Sequence, residues 1–281
     1  MSLDKILTLV VYLIISFFLF YIGKIAYRLF HPNFDINSEL VEKDNFAFAL
    51  SYTGYFIGLV IVIGGSIIGQ SEGLIEDLTD ILIYGILSII LLNFSIFVND
   101  RFILRKFSVT KEIIDDQNAG TGVVEAAICI SSGLIIFSAV SGEGGSIFTA
   151  VGYWIIGLVV MVIVSIIYNL MTPYDIHEHI EQDNVAVGIG FAGALIAIGN
   201  IIRAALMGDF FNWIDTLNDI WLPLIIGLIF LPIVRLLADK ILLPGRKLTD
   251  EIINQEKPNH GAAIIEAFAY IGSSMFITWS L

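Results

Sequence analysis

Charge and cysteine are both scarce in this sequence. Charged residues make up 15% of its 281 positions, hydrophobic residues make up 57%, and the mean hydropathy is +0.88. A soluble domain of this size carries far more charge, because its surface must be hydrated. The single cysteine, Cys129, lies inside an apolar run, which excludes an intrachain disulfide and a cysteine-based zinc site. The excess of apolar residues therefore has to face lipid.

The motifs of common enzyme classes are also missing. The sequence has no G-x-x-x-x-G-K-[ST] nucleotide loop, no H-E-x-x-H motif and no Ser/His/Asp arrangement. His177 and His179 stand in a polar loop without further ligands at metal spacing, so we expect no metal and no cofactor. The net charge of -13 is a sum over loops on two sides of a membrane and so says little by itself; we expect no nucleic acid as a partner. We expect a membrane protein that is not an enzyme.

Eight apolar stretches are long enough to cross a bilayer as helices. A helix rises about 1.5 Å per residue, so about 20 residues cross the hydrocarbon layer. Uninterrupted apolar runs contradict the alternating pattern of a membrane barrel. The sequence therefore predicts an all-α, polytopic membrane protein with eight transmembrane helices, at 5–28, 45–69, 80–99, 119–142, 146–170, 184–208, 220–240 and 260–280.

The chain contains a long internal repeat. The Asp-Asn pair at 44–45 recurs at 183–184, a shift of 139 residues, and the Arg-Lys pair at 105–106 recurs at 246–247, a shift of 141 residues. Pro244-Gly245 is the obvious place for the two extra residues, since a Pro-Gly pair belongs in a turn. We divide the chain into a first repeat, 1–143, and a second repeat, 144–281. Each repeat holds four spans, so the two are parallel.

A finer repeat marks a two-helix hairpin that is used four times. The second span of each hairpin opens with an asparagine and has small residues two and four positions later; these asparagines are Asn45, Asn118, Asn184 and Asn259. Asparagine is among the best residues for capping the first turn of a helix. Two interpretations stay open: capping alone, or four helix N-termini that frame a shared cytoplasmic entrance with their partial positive charges.

These asparagine openings, the small residues after them and the hairpin repeat resemble the YjfL-like family of bacterial inner-membrane proteins, catalogued as domain of unknown function 350. The resemblance covers nearly the whole chain. Typical members look like one half of it, so the resemblance implies a tandem duplication of a four-span protein. It also implies a bacterial inner-membrane location and leaves the function to the residues.

The loops on the two sides of the bundle differ in charge. Loops after the first, third, fifth and seventh spans hold most of the lysine and arginine outside the spans, and the opposite side is acidic. The positive-inside rule puts the lysine- and arginine-containing loops in the cytoplasm. Both chain termini are then expected outside it.

Glu125 and Glu266 are the sharpest signal for function. Each lies seven residues after its asparagine, about 10 Å along the helix axis, and Ser132 and Ser273 continue the same stripe. A charged carboxylate that faces lipid costs about 2.5 to 3.5 kcal/mol on insertion scales, so we expect both to face the protein interior. Three states stay open: a protonated carboxyl that bonds its neighbours, an ion pair with Arg28, Lys24 or Arg235, or a carboxylate on a water-filled path.

The repetition of the glutamate slightly favours the water-filled path, because two equivalent acids can build one cation site on a pseudo-twofold axis. The sequence predicts a small-cation or proton-coupled channel or transporter, with Glu125, Glu266, Ser132 and Ser273 along the path. The alternative is a membrane scaffold that transports nothing and recruits a cytoplasmic partner, for example in envelope stress. Expected partners are membrane lipids, the cation or proton, and, if the chain does not act as a monomer, further copies of itself.

Arg203 has no counterpart in the first repeat, where Gly64 stands at its position. Asn200 lies one turn earlier and forms a polar pair with it on the same helix. The arginine either extends to the polar surface near Asp209 or marks a place where the two repeats have diverged in role.

Overall fold

The computed structural model describes residues 3–69, 71–243 and 245–280, and within these ranges the chain forms α-helices and no strand. In chain order the helices are α1 (Leu3–Phe30), α2 (Phe46–Ile67), α3 (Leu74–Phe102), α4 (Val109–Ile114), α5 (Ala119–Ser141), α6 (Ile147–Met171), α7 (Ile176–Glu181), α8 (Val185–Leu206), α9 (Trp213–Leu237), α10 (Leu248–Ile252) and α11 (His260–Ser280). Two π-helical turns add Ser38–Glu42 and Ala238–Leu242. Helices α4, α7 and α10 are short, and the other eight are long and apolar enough to cross a membrane.

The eight predicted spans are thus confirmed; six agree with the structure within two residues at each end, and α3 and α9 differ more. Helix α3 runs from Leu74 to Phe102 where 80–99 was predicted, and α9 starts at Trp213 where 220 was predicted. Acidic residues in the first turns favour these early starts, because they interact well with the positive end of the helix dipole. The three short helices were not predicted. Of the predicted insertion, Pro244 lies outside the described residues, and Gly245 has a φ of +87°, which suits glycine in a turn.

The four helices that follow an asparagine, α2, α5, α8 and α11, form a row in that order, and we call them the core helices. Their backbones approach closely at small residues. A Cβ atom added to Gly54 would overlap the backbone of Ala126, and one added to Gly188 would lie 2.6 Å from the Gly120 carbonyl oxygen. Such contacts give van der Waals attraction between helices in lipid, where the hydrophobic effect between helices is absent.

The remaining long helices, α1, α3, α6 and α9, cover the row and are called the outer helices. Each of α3, α6 and α9 packs against its own core helix and against the core helix before it. Helix α1 has no core helix before it, and only 11% of its most apolar 18-residue window is buried, compared with 50% for α3. Helices α3, α6 and α9 therefore bridge successive core helices, whereas α1 packs on one core helix, α2, and on the outer helix α3.

The two repeats meet mainly through α5 and α8, with further contacts of α6 against α3 and α5, and among the described residues one ion pair joins them. We call the end of the bundle that carries the four asparagines the asparagine side and the opposite end the acidic side. On the asparagine side, Lys106 of the first repeat pairs with Asp175 of the second. The hydrogen bond from the Lys106 ammonium holds the pKa of the Asp175 carboxyl below its usual value.

Candidate functional site

All four asparagines cap their helices in the same way. Each side-chain oxygen accepts a hydrogen bond from the backbone N–H three residues later, with these donors and distances: Phe48 at 3.0 Å, Thr121 at 2.9 Å, Val187 at 3.2 Å and Ala262 at 3.1 Å. The bonds satisfy amides that have no partner inside the helix.

Three of the asparagines also tie their hairpin to the next one. Each side-chain amide donates to a carbonyl of the short helix that precedes the next core helix: Asn45 to Ile113 at 2.8 Å, Asn118 to Ile180 at 2.6 Å and Asn184 to Ile252 at 3.0 Å. These asparagines are buried, whereas Asn259 is exposed. Capping and cross-linking account for the three buried asparagines, and an open entrance framed by all four is not needed to explain them.

Glu125 lies beside a second acid, Asp100 of α3. The Glu125 side chain is buried and Asp100 is half-buried, and the two carboxyl groups are close enough to interact directly. Oε2 of Glu125 and Oδ1 of Asp100 are enclosed and have no hydrogen-bond partner among the described residues. A cavity of about 30 Å³ touches both acids and extends to His31 and Thr110 on the asparagine side. That volume suits one water molecule or a small dehydrated ion.

Glu266 lies beside a cation instead. Nη1 of Arg235, from α9, is 3.6 Å from Oε1 of the buried Glu266, and the Tyr270 hydroxyl donates to the same oxygen at 3.4 Å. Nη2 of Arg235 donates to the Tyr174 hydroxyl and to the Thr249 hydroxyl, both at 3.4 Å. Of the three states left open by the sequence, Glu266 therefore adopts the ion pair.

The repeat makes the two environments directly comparable. At the shift of 139 residues, Asp100 corresponds to Asp239, which lies near Glu266, and Ile96 corresponds to Arg235. Both repeats thus place an aspartate near the glutamate of a core helix, Asp100 at the end of α3 and Asp239 in the π-helical turn that follows α9. The second repeat has a guanidinium group that pairs with its glutamate. The first repeat has an aliphatic side chain at that position and two adjacent acids.

The structure does not bring Glu125 and Glu266 together, because α8 lies between their helices in the row. The expected shared site on a repeat axis is replaced by two separate and unlike sites. Ser132 is buried and accepts a hydrogen bond from the Asn99 amide at 3.2 Å, one residue before Asp100. Ser273 is half-buried on α11.

Comparison with known proteins agrees with this duplicated architecture. The family model described as Domain of Unknown Function (DUF350) matches the chain twice, at residues 1–140 and 144–281. The chain belongs to the DUF350 family. It is also similar to a UPF0719 transmembrane protein of Aquifex aeolicus (strain VF5), with 23% identity over 254 residues that cover 89% of this chain and 91% of the relative. No solved structure matches. This DUF350 protein is thus a multi-pass membrane protein built as a tandem duplication.

Asn200 and Arg203 of the DUF350 protein form the polar pair that the sequence predicted, and they connect two core helices. Nε of Arg203 donates to the Asn200 side-chain oxygen at 3.1 Å, and the Asn200 amide donates to the hydroxyls of Ser274 and Thr278 in α11, at 3.2 and 3.3 Å. The pair lies toward the acidic side and links α8 to α11.

Asp100 is the functional candidate that the sequence analysis missed. The predicted span ended at 99, which placed Asp100 in a loop, whereas α3 continues to Phe102. Two signals were available. Asp100 recurs as Asp239 at the repeat shift, and Asn93 precedes it by seven residues, which puts both on one helical face.

Proposed function

We propose that the first repeat of this membrane protein binds a small cation or a proton between Asp100 and Glu125 and passes it across the bilayer. The observation that carries the proposal is the comparison of the repeats. Arg235 supplies a fixed positive charge to Glu266 in the second repeat, whereas Ile96 stands at its position in the first repeat, beside Glu125 and Asp100. Two adjacent carboxylates that are shielded from water repel each other, so they favour a bound cation or a shared proton.

A chain of buried polar groups in the first repeat supports movement beyond the acid pair. Asn99 contacts Ser132, and deeper in the bilayer the Asn93 amide donates to the Tyr55 hydroxyl at 3.2 Å. The side-chain oxygens of Asn93 and Asn99 are enclosed without a hydrogen-bond partner in the described part of the chain, so they remain available to a passing cation or water.

The second repeat replaces both asparagines of this polar chain with apolar residues. Pro232 stands at the position of Asn93, and Ala238 stands at the position of Asn99. We therefore assign the path to the first repeat alone, with Glu266 held by Arg235 as a structural ion pair.

For orientation, we propose a bacterial inner membrane with the asparagine side in the cytoplasm. The loops on that side hold most of the loop lysine and arginine, which the positive-inside rule places in the cytoplasm. The cavity at Asp100 and Glu125 then faces the cytoplasmic end of the path. No enzymatic step is part of this proposal.

Flux measurements test the proposal. The protein is reconstituted into liposomes, and proton and alkali-cation flux is followed under pH and potential gradients. We expect Glu125→Gln and Asp100→Asn each to reduce flux at least tenfold, because each removes half of the acid pair. The matched control is the double variant Arg235→Ile with Glu266→Gln, which removes the ion pair of the second repeat and should retain flux.

Two results would contradict the proposal. One is an equal loss of flux in the control and in Glu125→Gln. The other is the absence of flux under every gradient while the wild-type protein is folded. That second result would favour the scaffold alternative, in which the ordered short helices of the asparagine side form a surface for a partner protein.

A further inference from the structure

The row of core helices repeats one hydrogen-bonded connection at every step. In each hairpin, the backbone N–H of the asparagine donates to a backbone carbonyl in the turn that precedes the core helix, at 2.8 to 2.9 Å. The accepting residues, which we treat as equivalent, are Glu39, Glu112, His179 and Glu251. The next residues are Leu40, Ile113, Ile180 and Ile252. The carbonyls of the last three accept the side-chain amide of the asparagine one hairpin earlier.

The first hairpin has the same acceptor and no donor. Leu40 occupies the position of Ile113, Ile180 and Ile252, but none of the four asparagine amides donates to its carbonyl among the described residues. Its side chain is half-buried, whereas Ile113, Ile180 and Ile252 are buried. The Leu40 carbonyl is therefore the acceptor of a connection that this chain does not make.

The last hairpin has the same donor and no acceptor. The amides of Asn45 and Asn118 each donate twice, to a glutamate of their own hairpin and to the carbonyl of the next one. Among the described residues, the Asn259 amide donates only to its own glutamate, Glu251, at 2.9 Å. One N–H of the exposed Asn259 amide is left for another acceptor.

The small residues on the packing faces of the first and last core helices are also complementary to each other. At two internal steps, the small residue two positions after an asparagine contacts the small residue four positions after the next asparagine: Ala47 meets Gly122, and Gly120 meets Gly188. At the ends of the row, Gly261 of α11 is exposed and Ala49 of α2 is half-buried. These two residues are the unused halves of the same contact.

The outer helices also leave one packing surface uncovered at each end of the row. Helices α3, α6 and α9 each pack on the core helix of the preceding hairpin, and α1 has none. It exposes large side chains, including Phe17, Phe18 and Tyr21. Helix α11 correspondingly has no outer helix of a following hairpin.

We propose that copies of this chain associate head to tail in the membrane, with α11 of one copy against α2 and α1 of the next. In this interface the Asn259 amide donates to the Leu40 carbonyl, and Gly261 packs on Ala49. The contact continues an interface that the chain already forms three times. Because the two surfaces are different, association is heterologous and produces a ring if the rotation closes or a filament if it does not.

Further along the helices, the proposed contact between copies differs from the contacts inside the chain. Phe268 and Thr53 stand where the α5–α8 contact has Ala127 and Ala192. The Phe268 ring lies 3.8 Å from where a Cβ atom at Gly272 would stand, and this larger side chain keeps the helices further apart there than inside the chain. We therefore expect an association that is weaker than the internal packing and best measured in membranes.

Disulfide cross-linking between two tagged chains tests the direction of assembly. Cys129 is first replaced by alanine, and one tagged chain then carries Ala49→Cys while the other carries Gly261→Cys. After co-expression and mild oxidation in membranes, we expect a cross-linked dimer that contains both tags. Each single-cysteine chain expressed alone should give none, because a head-to-tail contact never pairs a residue with itself.

A blocking substitution provides a second readout. Thr53→Trp, placed on the outer face of α2, should lower the cross-link yield at least fivefold. Val159→Trp, on the exposed face of α6, should leave it unchanged. Absence of the mixed dimer in chains that retain the wild-type melting temperature would overturn the proposal, and so would disulfide dimers of either chain alone.

Discussion

Arg235 occupies in the second repeat the position that Ile96 occupies in the first. Its guanidinium group is largely buried and pairs with Glu266, whose own side chain is 1% exposed. A buried charge whose partner is removed is strongly destabilising, whereas replacement of the whole pair by neutral groups is often tolerated. The stability of the second repeat should therefore depend on Arg235 and Glu266 as a unit.

We predict that Arg235→Ile, which copies the first repeat, lowers the free energy of unfolding by about 3 to 5 kcal/mol, because it leaves Glu266 buried without a cation. Adding Glu266→Gln should restore most of the loss. Thermal unfolding of the four members of this double-mutant cycle provides the measurement. Independent, additive effects of the two substitutions would show that they do not form a pair.

At the scale of the elements, the asparagine caps differ in how much each one holds together. Asn118 is buried and bonds Thr121, Glu112 and Ile180, so it joins its own helix, the preceding helix and the second repeat. Asn259 makes the corresponding cap and glutamate bonds on an exposed surface, where water can replace them. The same sequence motif therefore has different energetic weight at different places in the row.

We predict that Asn118→Ala destabilises the detergent-solubilised protein more than Asn259→Ala. Loss of a cap costs about 0.5 to 2 kcal/mol at either position. Asn118→Ala also leaves buried acceptors unsatisfied, at about 1 to 3 kcal/mol. Melting temperatures of the two variants compare the costs directly, and equal shifts would mean that the link to the second repeat contributes little.

At the scale of the whole molecule, the asymmetry of loop charge predicts the orientation in the membrane. Ser71 lies on the acidic side and Gln182 on the asparagine side, and both are exposed. With Cys129 replaced by alanine, we expect Ser71→Cys to react with a membrane-impermeant maleimide in intact spheroplasts. Gln182→Cys should react only after the membrane is opened. The reverse labelling pattern would show that the asparagine side faces outward, opposite to the predicted orientation.

Much of the architecture follows from the sequence, because its signals are local. Eight apolar runs of sufficient length, four asparagine openings and the repeated Asp-Asn pairs are each read within a few dozen residues. They gave the number of spans, the hairpins and the duplication, and the structure has the same helices. The short helices α4, α7 and α10 were not predicted, because their five or six residues carry no clear periodic signal.

The sequence by itself determined that this is a duplicated, all-helical membrane protein with one deep glutamate in each repeat, since helix length and hydropathy are properties of single segments. Only the tertiary structure decided which side chain faces each glutamate. Asp100 meets Glu125 and Arg235 meets Glu266 across different helices, and such contacts depend on helix order and rotation. The row of core helices also separates the two glutamates, because packing between neighbouring small residues extends along the chain and leaves the ends of the row open.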